Sequence, residues 1–93
     1  MALIWSREKD DKLRERRQIE MSDITELILN KQYYDIIGNP AEGREEQLLF
    51  IIPYKNYTYA VPFIFDEYGN IILKTAYPCR KYHAIYGNRD SEK

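Results

Sequence analysis

The fold is decided by Gln47-Leu48-Leu49-Phe50-Ile51-Ile52-Pro53-Tyr54-Lys55-Asn56-Tyr57-Thr58-Tyr59-Ala60-Val61-Pro62-Phe63-Ile64-Phe65. Residues 47–54 are almost continuously apolar, the pattern of a strand that is central in a sheet or covered on both faces. Lys55-Asn56 reads as a two-residue hairpin turn without the preferred glycine. Tyr57–Phe65 then alternates, with Tyr57, Tyr59, Val61, Phe63 and Phe65 on one face. Pro53 and Pro62 lack the ladder donor, so each is expected at a bulge or on an unpaired side. Downstream, Asp66-Glu67-Tyr68-Gly69-Asn70 makes a longer turn and residues 71–77 return as a third strand. Period two puts Lys74 with Ile72 and Ala76 on one face, and Leu73, Thr75 and Tyr77 on the other. Pro78 breaks the strand, residues 80–86 suit a short helix with Arg80, His83 and Ala84 on one side, and Gly87 ends it. Residues 88–93 form a polar tail of the kind that is usually mobile.

Upstream of the meander, residues 41–46 are an acidic, polar loop, and Tyr33-Tyr34-Asp35-Ile36-Ile37 reads as a short strand closed by Gly38-Asn39-Pro40. Met21-Ser22-Asp23 offers a helix N-cap, Asp23 and Glu26 put acids in the first turn, and Ile24, Leu27 and Ile28 share one helical face. This helix should end near Lys31. Residues 7–18 are almost wholly charged good helix formers with one apolar anchor, Leu13, so that Ile4, Trp5 or Ile19 would be needed to dock them. Residues 1–8 can alternatively be an extended arm. The expected class is therefore α+β: two N-terminal helices, an antiparallel meander of three to four strands and a short C-terminal helix, in one domain spanning residues 1–93.

Charge narrows the function. Lys and Arg number 14 and Asp and Glu 15, a net charge of −1, so phosphate affinity must come from local patches rather than from the whole surface. The patch that stands out is residues 74–87, where Lys74, Arg80 and Lys81 occur without an acid among Tyr77, Tyr82, Tyr86 and the single histidine, His83. Cations attract phosphate and aromatic rings stack on bases, which suggests RNA as ligand or substrate. Arg14 and Arg17, spaced i, i+3 in the first helix, add two cations that can reach phosphate, or that can be spent on surface ion pairs. One cysteine, Cys79, excludes an internal disulfide, and Cys79 with His83 leaves a zinc site short of ligands, so no metal or cofactor is expected. Residues 2–5 are too short for a signal peptide or a membrane span, which fits a cytoplasmic protein, and as an apolar arm they could build a homodimer.

The element order, with Leu13-Arg14-Glu15-Arg16-Arg17-Gln18-Ile19 leading into Ser22-Asp23-Ile24, the Asn39-Pro40 turn, and Lys74-Thr75-Ala76-Tyr77-Pro78-Cys79-Arg80-Lys81, resembles the BrnT-like toxins of bacterial toxin–antitoxin pairs, within the wider RelE/ParE-like group. The likeness covers residues 9–87. It implies a small cytoplasmic ribonuclease that works without metal, a ribbon-helix-helix antitoxin that caps the active surface, and operator DNA bound only through that antitoxin. Arg80 and Lys81 match the basic corner after the last strand, and Arg17 matches the arginine of the first helix. The corner here reads Thr-Ala-Tyr-Pro-Cys where the family favours Ser-Ala-Arg.

Metal-free RNA cleavage needs a base for the ribose 2′-hydroxyl, cations on the phosphorane and an acid for the leaving oxygen. Arg80, Lys81 and Lys74 would supply cations. His83, whose ordinary pKa of about 6.5 suits the task, or Tyr82 or Tyr86 would move protons. Tyr77 and Tyr82 would contact RNA beside Arg14 and Arg17. Each residue also has an ordinary structural role open to it: Arg80 and Lys81 as solvated charges, His83 as a packing residue, Tyr82 or Tyr86 against the sheet, and Cys79 as buried filler. The alternative to a toxin is a non-catalytic module of the same fold that binds RNA or protein.

Overall fold

The computed structural model describes residues 2–87. Leu3–Ile4 form β1, Arg7–Arg17 α1, Met21–Leu29 α2, Asp35–Gly38 β2, Leu48–Tyr54 β3, Tyr57–Phe65 β4, Ile71–Leu73 β5, Tyr77–Pro78 β6 and Arg80–Tyr82 α3, which runs into a π-helical turn over His83–Gly87. Among the described residues the sheet has six strands in the order β1-β5-β4-β3-β2, with β6 also on β4. The α+β class is as expected, but the sheet is larger and mixed, because β1 pairs in parallel with β5, Leu3 opposite Ile71 and Ile4 opposite Ile72. The expected tail at 88–93 lies outside the described residues.

The hairpin turn forms as read. Lys55 and Asn56 both take positive φ, 51° and 61°, which lets a two-residue loop follow the strand twist without glycine. The closing pair Tyr54–Tyr57 fixes the register, which places Pro53 opposite Thr58 and Pro62 opposite Leu49. Pairs alternate between bonded and non-bonded, so both prolines fall in non-bonded pairs and turn their nitrogens away from the neighbouring strand. The Pro53 nitrogen points past the end of β2. The Pro62 nitrogen points at the gap between β5 and β6, where no donor is needed.

That gap corrects the expected strand over 71–77. β5 stops at Leu73, Lys74 N–H donates to the Pro62 carbonyl at 2.8 Å, and Pro62 has no N–H to continue the ladder. Residues 74–76 are irregular and shift the side-chain parity. Leu73 and Ala76 therefore share one core, while Tyr77 packs toward the opposite one. The expected pairing of Ala76 with Ile72 and of Tyr77 with Leu73 does not hold.

One sheet face packs on α1 and α2. Leu13, Ile19, Met21, Ile24 and Ile28 meet Phe50, Ile52, Val61, Phe63 and Leu73 there, and each fully buried aliphatic or aromatic side chain contributes about 1.5–3 kcal/mol. The opposite face, Leu49, Ile51 and Ala60, is covered by Tyr82 and Tyr86. β3 is thus covered on both faces, as its unbroken apolar run required. Ser6 caps α1, its Oγ accepting from Lys9 N–H at 3.1 Å. α2 starts at Met21, not at a Ser22 or Asp23 cap. Glu20 occupies the cap position without a side-chain bond, and Asp10 of α1 accepts the Met21 N–H at 3.3 Å instead. Asp23 is drawn to the sheet, accepting from the Tyr54 hydroxyl at 3.0 Å. Residues 2–5, for which an apolar arm crossing to a second copy was the alternative, are strapped to their own sheet: Ile71 N–H donates to the Ala2 carbonyl at 2.8 Å, and Leu3 and Trp5 pack on the main core. Among the described residues no helix is long and apolar enough to cross a membrane.

Candidate functional site

The irregular stretch after β5 is where chemistry collects. Lys74 and Tyr77 line a hollow of about 360 Å³ together with Lys9, Asn39, Arg44 and Gln47. Tyr77 is also a wall of a second hollow, about 480 Å³, shared with Arg17, Tyr59 and Pro78. The two hollows meet at Tyr77, and among the described residues no Asp or Glu lines either. Lys9, Leu13 and Arg17 follow i, i+4, i+8 along α1, so Leu13 enters the core while the two cations flank it. Arg44 comes from the loop after β2, where Arg44 N–H on the Ala41 carbonyl, 3.1 Å, and Gln47 N–H on the Arg44 carbonyl, 2.9 Å, make a turn. Among the described residues no ion pair engages Lys9, Arg17, Arg44 or Lys74.

Arg17 also holds the kink in place, donating from one guanidinium nitrogen to the Ala76 carbonyl at 3.1 Å. Tyr77 is half-buried, and burial raises its pKa, with Cys79 and Tyr82 adding to the rise and Arg17 opposing it. Its phenol is therefore neutral at pH 7, a ring to stack on and a hydroxyl to donate, not a base.

An amide chain orders the floor of the first hollow. Asn39 Oδ1 accepts from Ala41 N–H at 3.0 Å, which turns Asn39 Nδ2 toward Gln47 Oε1 at 3.1 Å. Gln47 is only 7% exposed. With its oxygen engaged, its Nε2 is left as a donor without a protein partner among the described residues.

Other expected site residues stand elsewhere. Arg14 does not reach for phosphate. Its Nε meets both oxygens of Glu20 at 3.1 Å, and its NH groups meet Asp10 at 3.1 Å and Asp11 at 3.7 Å. Glu20 first, then Asp10, raise its pKa further. Its charge ties the α1–α2 corner together. Tyr82, expected to contact RNA, is a core residue 7% exposed, and burial raises its pKa. Tyr86, expected to move protons, is 8% exposed and its hydroxyl donates to Asp35 Oδ2 at 2.9 Å. Arg80 and Lys81 are exposed on the single turn of α3, and Lys81 Nζ lies 5.7 Å over the Tyr82 ring. His83 stacks on Tyr57 with centroids 4.1 Å apart, and its Nδ1 is 2.9 Å from Thr58 Oγ1. The hollow that Lys74 lines includes none of Arg80, Lys81 or His83. The base, cations and acid expected to act together are thus spread over two places.

Lys9, Arg44, Asn39 and Gln47 are not marked as site residues by the sequence, Asn39 figuring there only in the Asn39-Pro40 turn. They belong to separate segments, and Arg44 sits in the acid-rich run Glu42-Gly43-Arg44-Glu45-Glu46, so nothing local marks them. Among the described residues no group of three or more His, Cys, Asp or Glu side chains could hold a metal ion. No protein-family model, curated protein or solved structure matches the chain.

Proposed function

We propose that this protein binds single-stranded RNA across the two hollows that meet at Tyr77. The observation that carries the reading is the gathering of Lys9, Arg44 and Lys74 in one hollow and Arg17 in the adjoining one, with no carboxylate in either lining among the described residues, in a chain whose net charge is −1. Cations there follow the backbone, and Tyr77 offers a base a ring to stack on. A cytoplasmic site of action goes with such a ligand.

A second reading makes RNA a substrate: a metal-independent ribonuclease toxin restrained by a ribbon-helix-helix antitoxin. It draws on the likeness to BrnT-like toxins and on one observation, that Arg17, the match to the family's first-helix arginine, and Lys74 stand on either side of Tyr77.

One experiment separates the two. A labelled single-stranded RNA is titrated by fluorescence anisotropy at about 50 and about 200 mM salt, in EDTA, and then run on a denaturing gel. Saturable, salt-sensitive binding with intact RNA, weakened on the order of 100-fold in Arg44→Glu/Lys74→Glu, is the expected result. RNA that is cut, with cutting lost in the same variant, transfers the site to the toxin reading. Binding unchanged in a folded variant removes both.

A further inference from the structure

The first hollow is built for more charge than a passing strand carries. An internal phosphodiester has one negative charge. A terminal phosphate monoester carries about −1.5 to −2 at neutral pH, with three strong acceptor oxygens. Three cations from three separate segments surround this hollow, Lys9 from α1, Arg44 from the loop after β2 and Lys74 from the kink. Gln47 adds the decisive feature. It is more than nine-tenths buried, the Ala41–Asn39 amide chain fixes which way it faces, and its remaining amide donor has no protein partner while the residue lines the hollow. Among the described residues every fully buried side-chain nitrogen or oxygen has a partner, so this amide donor is reached by solvent, and an oriented, solvent-reached donor left unused among cations is an arrangement that accepts an oxyanion. The second hollow, with Arg17 and Tyr59 beyond Tyr77, has one cation and a ring, which suits an internal nucleotide.

We propose that the Lys9–Arg44–Lys74–Gln47 hollow is a binding site for a terminal phosphate monoester, so that the protein recognises the phosphorylated end of an RNA strand, with the end nucleotide against Tyr77. The inference rests on the RNA reading above for its ligand, but not for its anion chemistry. Lys9, Arg44 and Lys74 neutralise the phosphate, and Gln47 Nε2 donates to one of its oxygens.

The test is a competition series with three unlabelled RNA strands of one sequence, carrying a 5′-phosphate, a 3′-phosphate or hydroxyls at both ends, against a labelled 5′-phosphorylated strand. One phosphorylated strand should compete roughly tenfold or more better than the hydroxyl strand, and which one does so identifies the end that is read. The advantage should vanish in Arg44→Met and in Gln47→Glu. The latter is nearly isosteric, still accepts from Asn39 Nδ2, and sets a carboxylate where the donor was. Arg17→Met should weaken all three strands equally and keep the ratio. Equal competition by all three strands overturns the inference and leaves the RNA reading standing. If no strand binds, the RNA reading falls, and inorganic phosphate decides the hollow. A saturable rise in Tm with phosphate at fixed ionic strength, lost in Arg44→Met, upholds the anion site, and no rise overturns it.

Discussion

The hollows around Tyr77 and the turn over residues 80–87 carry the same kinds of side chain, cations beside tyrosines, and the fold uses them in opposite ways. Around Tyr77 the cations come from α1, the loop after β2 and the kink after β5, and they line two hollows that share the Tyr77 side chain. In the C-terminal turn the cations are neighbours in sequence, Arg80 and Lys81, yet they point to solvent, while Tyr82 and Tyr86 are driven into the sheet. Closeness along the chain gave the turn its conspicuous composition. Convergence in space made the hollows. The same lesson appears within α1, where Arg14 and Arg17 are one turn apart. Arg14 is taken by Glu20, Asp10 and Asp11, whereas Arg17 keeps donors over after bonding a single carbonyl.

If the turn is a packing device, its tyrosines matter to stability before anything else. Tyr82→Ala removes a side chain 7% exposed from the second core and should cost about 3–5 kcal/mol, read as a lower urea midpoint at unchanged slope. Tyr77→Ala, at a half-buried site, should cost less than half as much while lowering RNA affinity. A Tyr82→Ala protein of near-native stability would break the contrast at its strongest point.

The extent to which the sequence disclosed this follows from range. The β3–β4 hairpin, the alternating core face of β4 and the covered faces of β3 were legible, because strand periodicity and turn chemistry are local. The kink at 74–76 was not, since it depends on Pro62 in the neighbouring strand having no N–H to offer. β1 was missed as a strand because two residues, Leu3 and Ile4, show no period, and only pairing with Ile71 and Ile72 defines them. In the site, Lys74, Tyr77 and Arg17 were within reach of a composition argument. Lys9 and Arg44 were hidden among the acids that flank them in sequence, and Gln47 reads as the polar start of a strand until Asn39 is placed beside it.

A smaller effect tests how His83 is held. A β-carbon added at Gly87 would lie 2.4 Å from His83 Nδ1 and 2.6 Å from Cε1. Gly87→Ala must therefore displace the imidazole from Thr58 and Tyr57, at about 1–3 kcal/mol. The cost should largely disappear in a His83→Ala background, so that the double-mutant cycle reports the clash itself. RNA affinity should be indifferent to both changes, because the ring is not a wall of either hollow. Loss of RNA binding in folded Gly87→Ala protein would instead return His83 to the functional surface.

The smallest expected effect is the most discriminating. Arg80→Ala/Lys81→Ala removes two exposed charges from the segment whose composition first suggested RNA. Neither side chain forms an ion pair among the described residues, and Lys81, which reaches the Tyr82 ring at 5.7 Å, is itself exposed. Stability should therefore change by no more than about 0.5 kcal/mol. Affinity for single-stranded RNA should fall less than about threefold, with the slope of log K against log salt unaltered. Lys74→Ala removes one charge, yet should lower that slope by about 0.7, the loss of one phosphate contact on a single strand. The slopes, more than the affinities, carry the comparison, since they count phosphates touched and not charges deleted. A slope that drops for Arg80 and Lys81 and holds for Lys74 would exchange the roles of the two regions.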